Sequence, residues 1–203
     1  MKFARKLIAL GLISTALVTV GCSSTSTDEA VQSSGDMAST ISIVAGGEAM
    51  NFNPLYANDR VSMTVMNAIY NPLYVIEENG DKTFYLAEDI KASEDFLTYT
   101  VTLKKDIKWH DGQALTADDI VFTVESMLDE AQAAKGRGGF VLGDKTVEVN
   151  KIDDLTVEFK LPEVSSAIED VIGGLRPIAK HIYEGEVDMA KSEKNATPVG
   201  NGA

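Results

Sequence analysis

The chain has 203 residues, enough for one ordinary domain or a small two-lobed one, and its 44% hydrophobic, 24% charged composition is globular rather than fibrous or disordered. Acidic residues outnumber basic ones by 31 to 18, a formal charge of −13 that repels nucleic-acid phosphates and anionic headgroups and argues against both as partners. The single cysteine excludes an intrachain disulfide, and with no Cys/His ligand pattern neither a metal nor a cofactor is expected.

The N-terminus reads as an address and an anchor. Lys2, Arg5 and Lys6 precede an uncharged, mostly apolar run over residues 7–20. That run is shorter than the roughly 20 residues a membrane span needs and fits a signal peptide over residues 1–21. It ends in Thr19-Val20-Gly21-Cys22, which resembles the bacterial lipobox, although Thr19 stands where that motif usually has an aliphatic residue. The resemblance implies a diacylglyceryl group on the Cys22 thiol, and two acyl chains hold a membrane where one holds only marginally. Residues 23–39 are mostly Ser, Thr, Asp, Gly and Ala with almost nothing to bury, so residues 22–39 form a lipidated cysteine and a disordered tether.

A folded body is expected from residue 40. Ile41, Ile43 and Val44 mark a strand over 40–45, and Pro54 fixes the loop that follows. Val61, Val65, Met66 and Ile69 recur at helical spacing. Asn79-Gly80 is a hairpin signal between residues 75–76 and 84–85. Residues 98–103 alternate Tyr99, Val101 and Leu103 with three threonines, a half-buried strand. Asp111-Gly112 makes a turn, Thr116 suits an N-cap, and Asp118 and Asp119 favour the positive end of a helix whose stripe is Ile120, Val121, Val124, Met127 and Leu128. The glycine-rich residues 135–143 read as a loop; they lack the Gly-Lys-Ser/Thr ending of a phosphate-binding loop. Val147 and Val149 pair with an alternating strand over 155–161, and a last helical stripe from Ala167 to Leu175 stops at Gly173-Gly174 and Pro177.

The segment Leu97-Thr98-Tyr99-Thr100-Val101-Thr102-Leu103-Lys104-Lys105, continued by Ile107-Lys108-Trp109-His110-Asp111-Gly112 and Thr116-Ala117-Asp118-Asp119-Ile120-Val121-Phe122, resembles the signature of the family 5 extracellular solute-binding proteins. So do Phe52-Asn53-Pro54-Leu55-Tyr56, Ile69-Tyr70-Asn71-Pro72-Leu73 and the ending Pro198-Val199-Gly200-Asn201-Gly202-Ala203. The resemblance implies a mixed α/β (α+β) chain: the first lobe of a two-lobed type II periplasmic-binding-protein fold with a small inserted domain, the second lobe missing. Residues 40–57 would start the first lobe, 58–150 form the inserted subdomain, and 151–203 continue the first lobe in truncated form.

By the same resemblance the protein is no enzyme but the monomeric substrate-binding lipoprotein of an ABC importer. It would capture peptides through their backbones as an added strand and hand them to permease subunits. It would sit on the outer face of the cytoplasmic membrane or in a periplasm. Asn58, Asp59 and Arg60 fall where the family lines its ligand, although Asn58 or Asp59 can equally cap the following helix; Phe140 is an aromatic candidate for the same role. Alone, half a cleft is expected to bind peptides weakly. A truncated surface lipoprotein with an interaction or signalling role and no transport is the alternative, and dipeptide, nickel or haem cargo stays open within the family. His110 and Asp111 lack the nucleophile or metal a catalytic pair needs, so Trp109-His110-Asp111-Gly112 reads as structural.

Overall fold

The computed structural model describes residues 47–49 and 51–202. The expected signal peptide, Cys22, the tether and the strand over 40–45 lie outside the described residues. Helix α1 (Arg60–Ile69) starts at Asp59, whose Oδ1 accepts from the Ser62 N–H at 2.8 Å, and it buries Ser62 and Met66. Its end is fixed by the last residues of the chain. The Ile69 carbonyl accepts from the N–H groups of Asn201 and Gly202 at 3.1 and 2.7 Å. A Cβ on Gly200 would lie 2.2 Å from that oxygen, so only glycine lets the two backbones approach so closely.

Strands β1 (Tyr74–Ile76) and β2 (Lys82–Phe84) form the hairpin that Asn79-Gly80 announces, with Gly80 at φ 86°. Strands β3 (Ala87–Ala92) and β4 (Thr98–Leu103) follow, and β4 buries Tyr99, Val101 and Leu103 as its alternation requires. Helix α2 (Ala117–Leu128) comes next. The glycine-rich segment differs from a plain loop: residues 137–140 make a 3₁₀ turn, then β5 (Val141–Leu142) and β6 (Lys145–Thr146) pair as a two-residue ladder. Strands β7 (Glu148–Asp153) and β8 (Thr156–Lys160) complete a four-stranded antiparallel sheet of order β3-β4-β8-β7. The sheet therefore takes strands from both sides of residue 150.

Short helices α3 (Ile168–Gly173) and α4 (Lys180–Tyr183) close the body. α3 stops at the two glycines as expected, and Gly173 lies flat against Tyr74, where a Cβ would come within 2.6 Å of the ring. Val101, Leu103, Val157 and Phe159 from the two central strands join Ile120 and Val124 of α2 and Ile168 and Ile172 of α3 in one core. Burial of each such side chain contributes about 1.5–3 kcal/mol.

Two polar hubs position these layers. The Asp119 carboxylate, 4% exposed, accepts from the Thr116 N–H at 2.9 Å, the Lys180 N–H at 2.9 Å and Trp109 Nε1 at 3.4 Å. It thereby ties the start of α2 to the start of α4 and to the buried indole. Asn53, fully buried, accepts from the Leu55 N–H and donates to Asn195 Oδ1, which also accepts from the Tyr183 hydroxyl. Through it the Asn-Pro loop is bound to the segment after α4. Among the described residues no helix is long and apolar enough to cross a membrane.

Candidate ligand-binding cleft

Loop residues 51–59 bend in two steps before α1. Asn51 Oδ1 accepts from the Asn53 N–H at 2.8 Å, and the Asn53 carbonyl accepts from the N–H groups of Tyr56 and Ala57. The turn leaves Asn58 and Arg60 exposed. Asp59 takes the capping role, and hydrogen bonds from the Ser62 side chain and backbone hold its carboxyl below the usual range.

On the other side of Pro54 lies a cleft of about 360 Å³ between α1, α2, the 3₁₀ turn and α3. Its apolar lining is Pro54, Met66, Met127, Phe140, Val171 and Leu175; Lys135, Asp170 and Arg176 supply the charges. Phe140 is 2% exposed and stacks on Phe159 at 6.4 Å between ring centroids. Gly136, at φ 86°, turns the chain so that Phe140 points back onto the core. Arg176 donates through Nε to the Tyr70 carbonyl at 3.1 Å, and burial pulls its guanidinium below its ordinary value.

Of the four ligand residues expected from the sequence, Phe140 lines this cleft, whereas Asn58, Asp59 and Arg60 do not. Met66, Met127 and Arg176 do line it. The two methionines read in sequence as core-stripe positions, and Arg176 is an isolated cation before a proline, so no local pattern signals any of the three.

The Trp109 region is architectural. His181 Nε2 lies 2.6 Å from Asp111 Oδ2, and that contact together with the Gln113 N–H holds the Asp111 carboxyl below its usual range. His110 Nδ1 accepts from the Gly200 N–H at 3.3 Å, and its Nε2 is 3.4 Å from the Gly202 carbonyl. The ring thus braces the chain end against the turn. Among the described residues no group of three His, Cys, Asp or Glu is placed to hold a metal ion.

Residues 84–203 match the sequence model of the bacterial extracellular solute-binding proteins, family 5 Middle. The chain belongs to that family. The oligopeptide-binding protein AppA of Bacillus subtilis is 34% identical over 187 residues, covering 89% of this chain and 34% of that protein. The glutathione-binding protein GsiB of Pectobacterium atrosepticum is 30% identical over 160 residues, covering 79% of this chain and 30% of GsiB. Among solved structures, the ABC transporter substrate-binding protein CtaP of Listeria monocytogenes superposes with TM-score 0.73 at 49% identity, over 77% of this chain and 31% of CtaP. The B. subtilis AppA structure, in complex with a nonapeptide, gives 0.69 at 32% identity over 77% of this chain and 31% of AppA. The mixed α/β architecture is therefore that of family 5, and the chain spans about a third of the length of these relatives.

Proposed function

We propose that this chain belongs to the substrate-binding component of an ABC importer that captures peptides outside the cytoplasmic membrane. The carrying observation is its 49% identity, over 77% of its length, with the substrate-binding protein CtaP. The peptide-binding AppA proteins support peptide as the cargo. Cys22 is the acyl-anchored residue, the tether holds the body off the membrane, and the partners are the permease subunits, met as a monomer. Asn58, Asp59, Arg60 and Phe140 are its ligand contacts from this part of the protein. The comparisons do not favour a surface lipoprotein without transport.

The inserted subdomain is best drawn past residue 150. β7 and β8 complete the sheet begun by β3 and β4, so its limit lies beyond β8; Asn195, bonded to Asn53, belongs with the first lobe. The test is to purify the gene product from its host's membranes, measure its intact mass, and identify peptides released on denaturation. Diacylglyceryl mass on the fragment that begins at Cys22, with co-purifying peptides, is the expected result. A protein that carries no peptide and takes up none in calorimetry refutes the assignment.

A further inference from the structure

The cleft beside Phe140 has an unusual charge balance for this chain. Its lining holds two cations and one carboxylate, Lys135, Arg176 and Asp170, in a chain of formal charge −13. Other basic side chains nearby are committed: Arg137 pairs with Glu130 at 2.7 Å, and Lys82 with Glu169 at 2.9 Å. Among the described residues Lys135 and Arg176 enter no ion pair. Arg176 is partly buried, with its Nε donating to a backbone carbonyl, so a guanidinium is held beside an apolar wall with no carboxylate in ion-pair contact. Such an arrangement is unfavourable in the empty protein and becomes favourable when an anion arrives, because a desolvated guanidinium binds a carboxylate more strongly than a hydrated one.

Beneath these charges the floor is Met66, Met127 and Phe140. Unbranched, polarizable methionine side chains adapt to differently shaped apolar groups. A cavity of about 360 Å³ is at the small end of the range for ligand pockets, which run about 300–1,000 Å³. The Lys135 N–H donates to the Leu55 carbonyl at 2.8 Å, which seats this cation beside the loop whose Pro54 forms part of the wall.

We propose that this cleft is a side-chain pocket that takes one large apolar residue of a peptide, with a carboxylate adjoining that residue held by Lys135 and Arg176. The proposal rests on peptide capture as the function. Asp170, the only carboxylate of the lining, is left to accept from a backbone or ammonium N–H of the same ligand. Preference is therefore for peptides with Phe, Leu or Met next to Asp, Glu or the C-terminal carboxylate.

The experiment is calorimetry on the protein as its host makes it, stripped of bound peptide. The probes are nonapeptides of Gly and Ser carrying a central Phe-Glu, Phe-Gln or Ser-Gln, together with N-acetyl-phenylalanine. Phe-Glu binds tightest; replacing Phe by Ser weakens binding about tenfold or more, and replacing Glu by Gln about two- to tenfold. The exposed side chain of Lys135 permits K135Q without risk to folding, and in that variant the penalty for Glu-to-Gln shrinks. Val171→Phe, which fills the cleft, abolishes the preference for Phe over Ser. Equal affinity for all three peptides overturns the pocket and leaves peptide capture standing. Binding of N-acetyl-phenylalanine as tight as Phe-Glu overturns the peptide as occupant, and no binding by any nonapeptide overturns both readings.

Discussion

Replacing Asp119 by alanine tests whether one buried carboxylate holds the layers of this fold together. The substitution removes the acceptor for the Thr116 N–H at the start of α2, a capping loss of about 0.5–2 kcal/mol. It also strands the Lys180 N–H and the Trp109 indole N–H, and a buried donor left without a partner costs about 1–3 kcal/mol. The Trp109 bond is long at 3.4 Å, so its share belongs at the bottom of that range. Together the losses come to about 2.5–6 kcal/mol, a large part of the 5–15 kcal/mol that typically holds a domain folded. Urea unfolding of residues 1–203 followed by fluorescence measures it directly, because Trp109 is the only tryptophan of those residues. Asp119→Asn, which keeps one acceptor oxygen, is expected to fall between wild type and Asp119→Ala. A midpoint for Asp119→Ala within about 1 kcal/mol of wild type, at unchanged slope, refutes the reasoning.

Other consequences can be measured on the same protein. Gly173→Ala places a methyl group within 2.6 Å of the Tyr74 ring and is expected to destabilise by about 1–3 kcal/mol; a wild-type melting temperature contradicts the packing. The Asp111 carboxyl is held low by its contact with His181, so it contributes stability above its unfolded value near pH 4 that is lost as pH falls through the lower folded value. Asp111→Asn is accordingly less stable than wild type at neutral pH and converges with it in acid; a constant difference across that range denies the linkage. Burial pushes the Tyr183 hydroxyl up to about 12, so its contribution is complete below the unfolded value near 10 and is lost as pH rises towards 12. Tyr183→Phe should flatten the alkaline limb of the stability profile, and an unchanged limb counts against that cause.

How much of this was legible in the sequence depended on whether the governing contacts were local. The alternation of Tyr99, Val101 and Leu103 declares β4 because a half-buried strand has a period of two. Asn79-Gly80 likewise declares the first hairpin. β3 escaped because Ala87-Glu88-Asp89-Ile90-Lys91-Ala92 has no two-residue period; it is a strand because β4 offers it a ladder. α4 and the 3₁₀ turns at 189–196 are three or four residues long, too short to show a helical period. At the candidate site, Phe140 was visible as the one aromatic residue in a glycine-rich segment. Met66, Met127 and Arg176 come from separate stretches that only folding brings to one cleft. Asp59 carried both a ligand reading and a capping reading, and its bond to Ser62 is a cap.

The margins of the four-stranded sheet restrict where a ligand can join as an extra strand. β3 shifts register between Ala87 and Asp89, and β7 between Lys151 and Asp153. β3 also carries Glu88, Asp89 and Lys91, and β7 carries Glu148, Lys151 and Asp153. A kinked, charged border is poor at recruiting another backbone ladder. This sheet is therefore ill suited to lateral growth, which discourages self-association into fibrils and makes its two edges poor templates for an added strand.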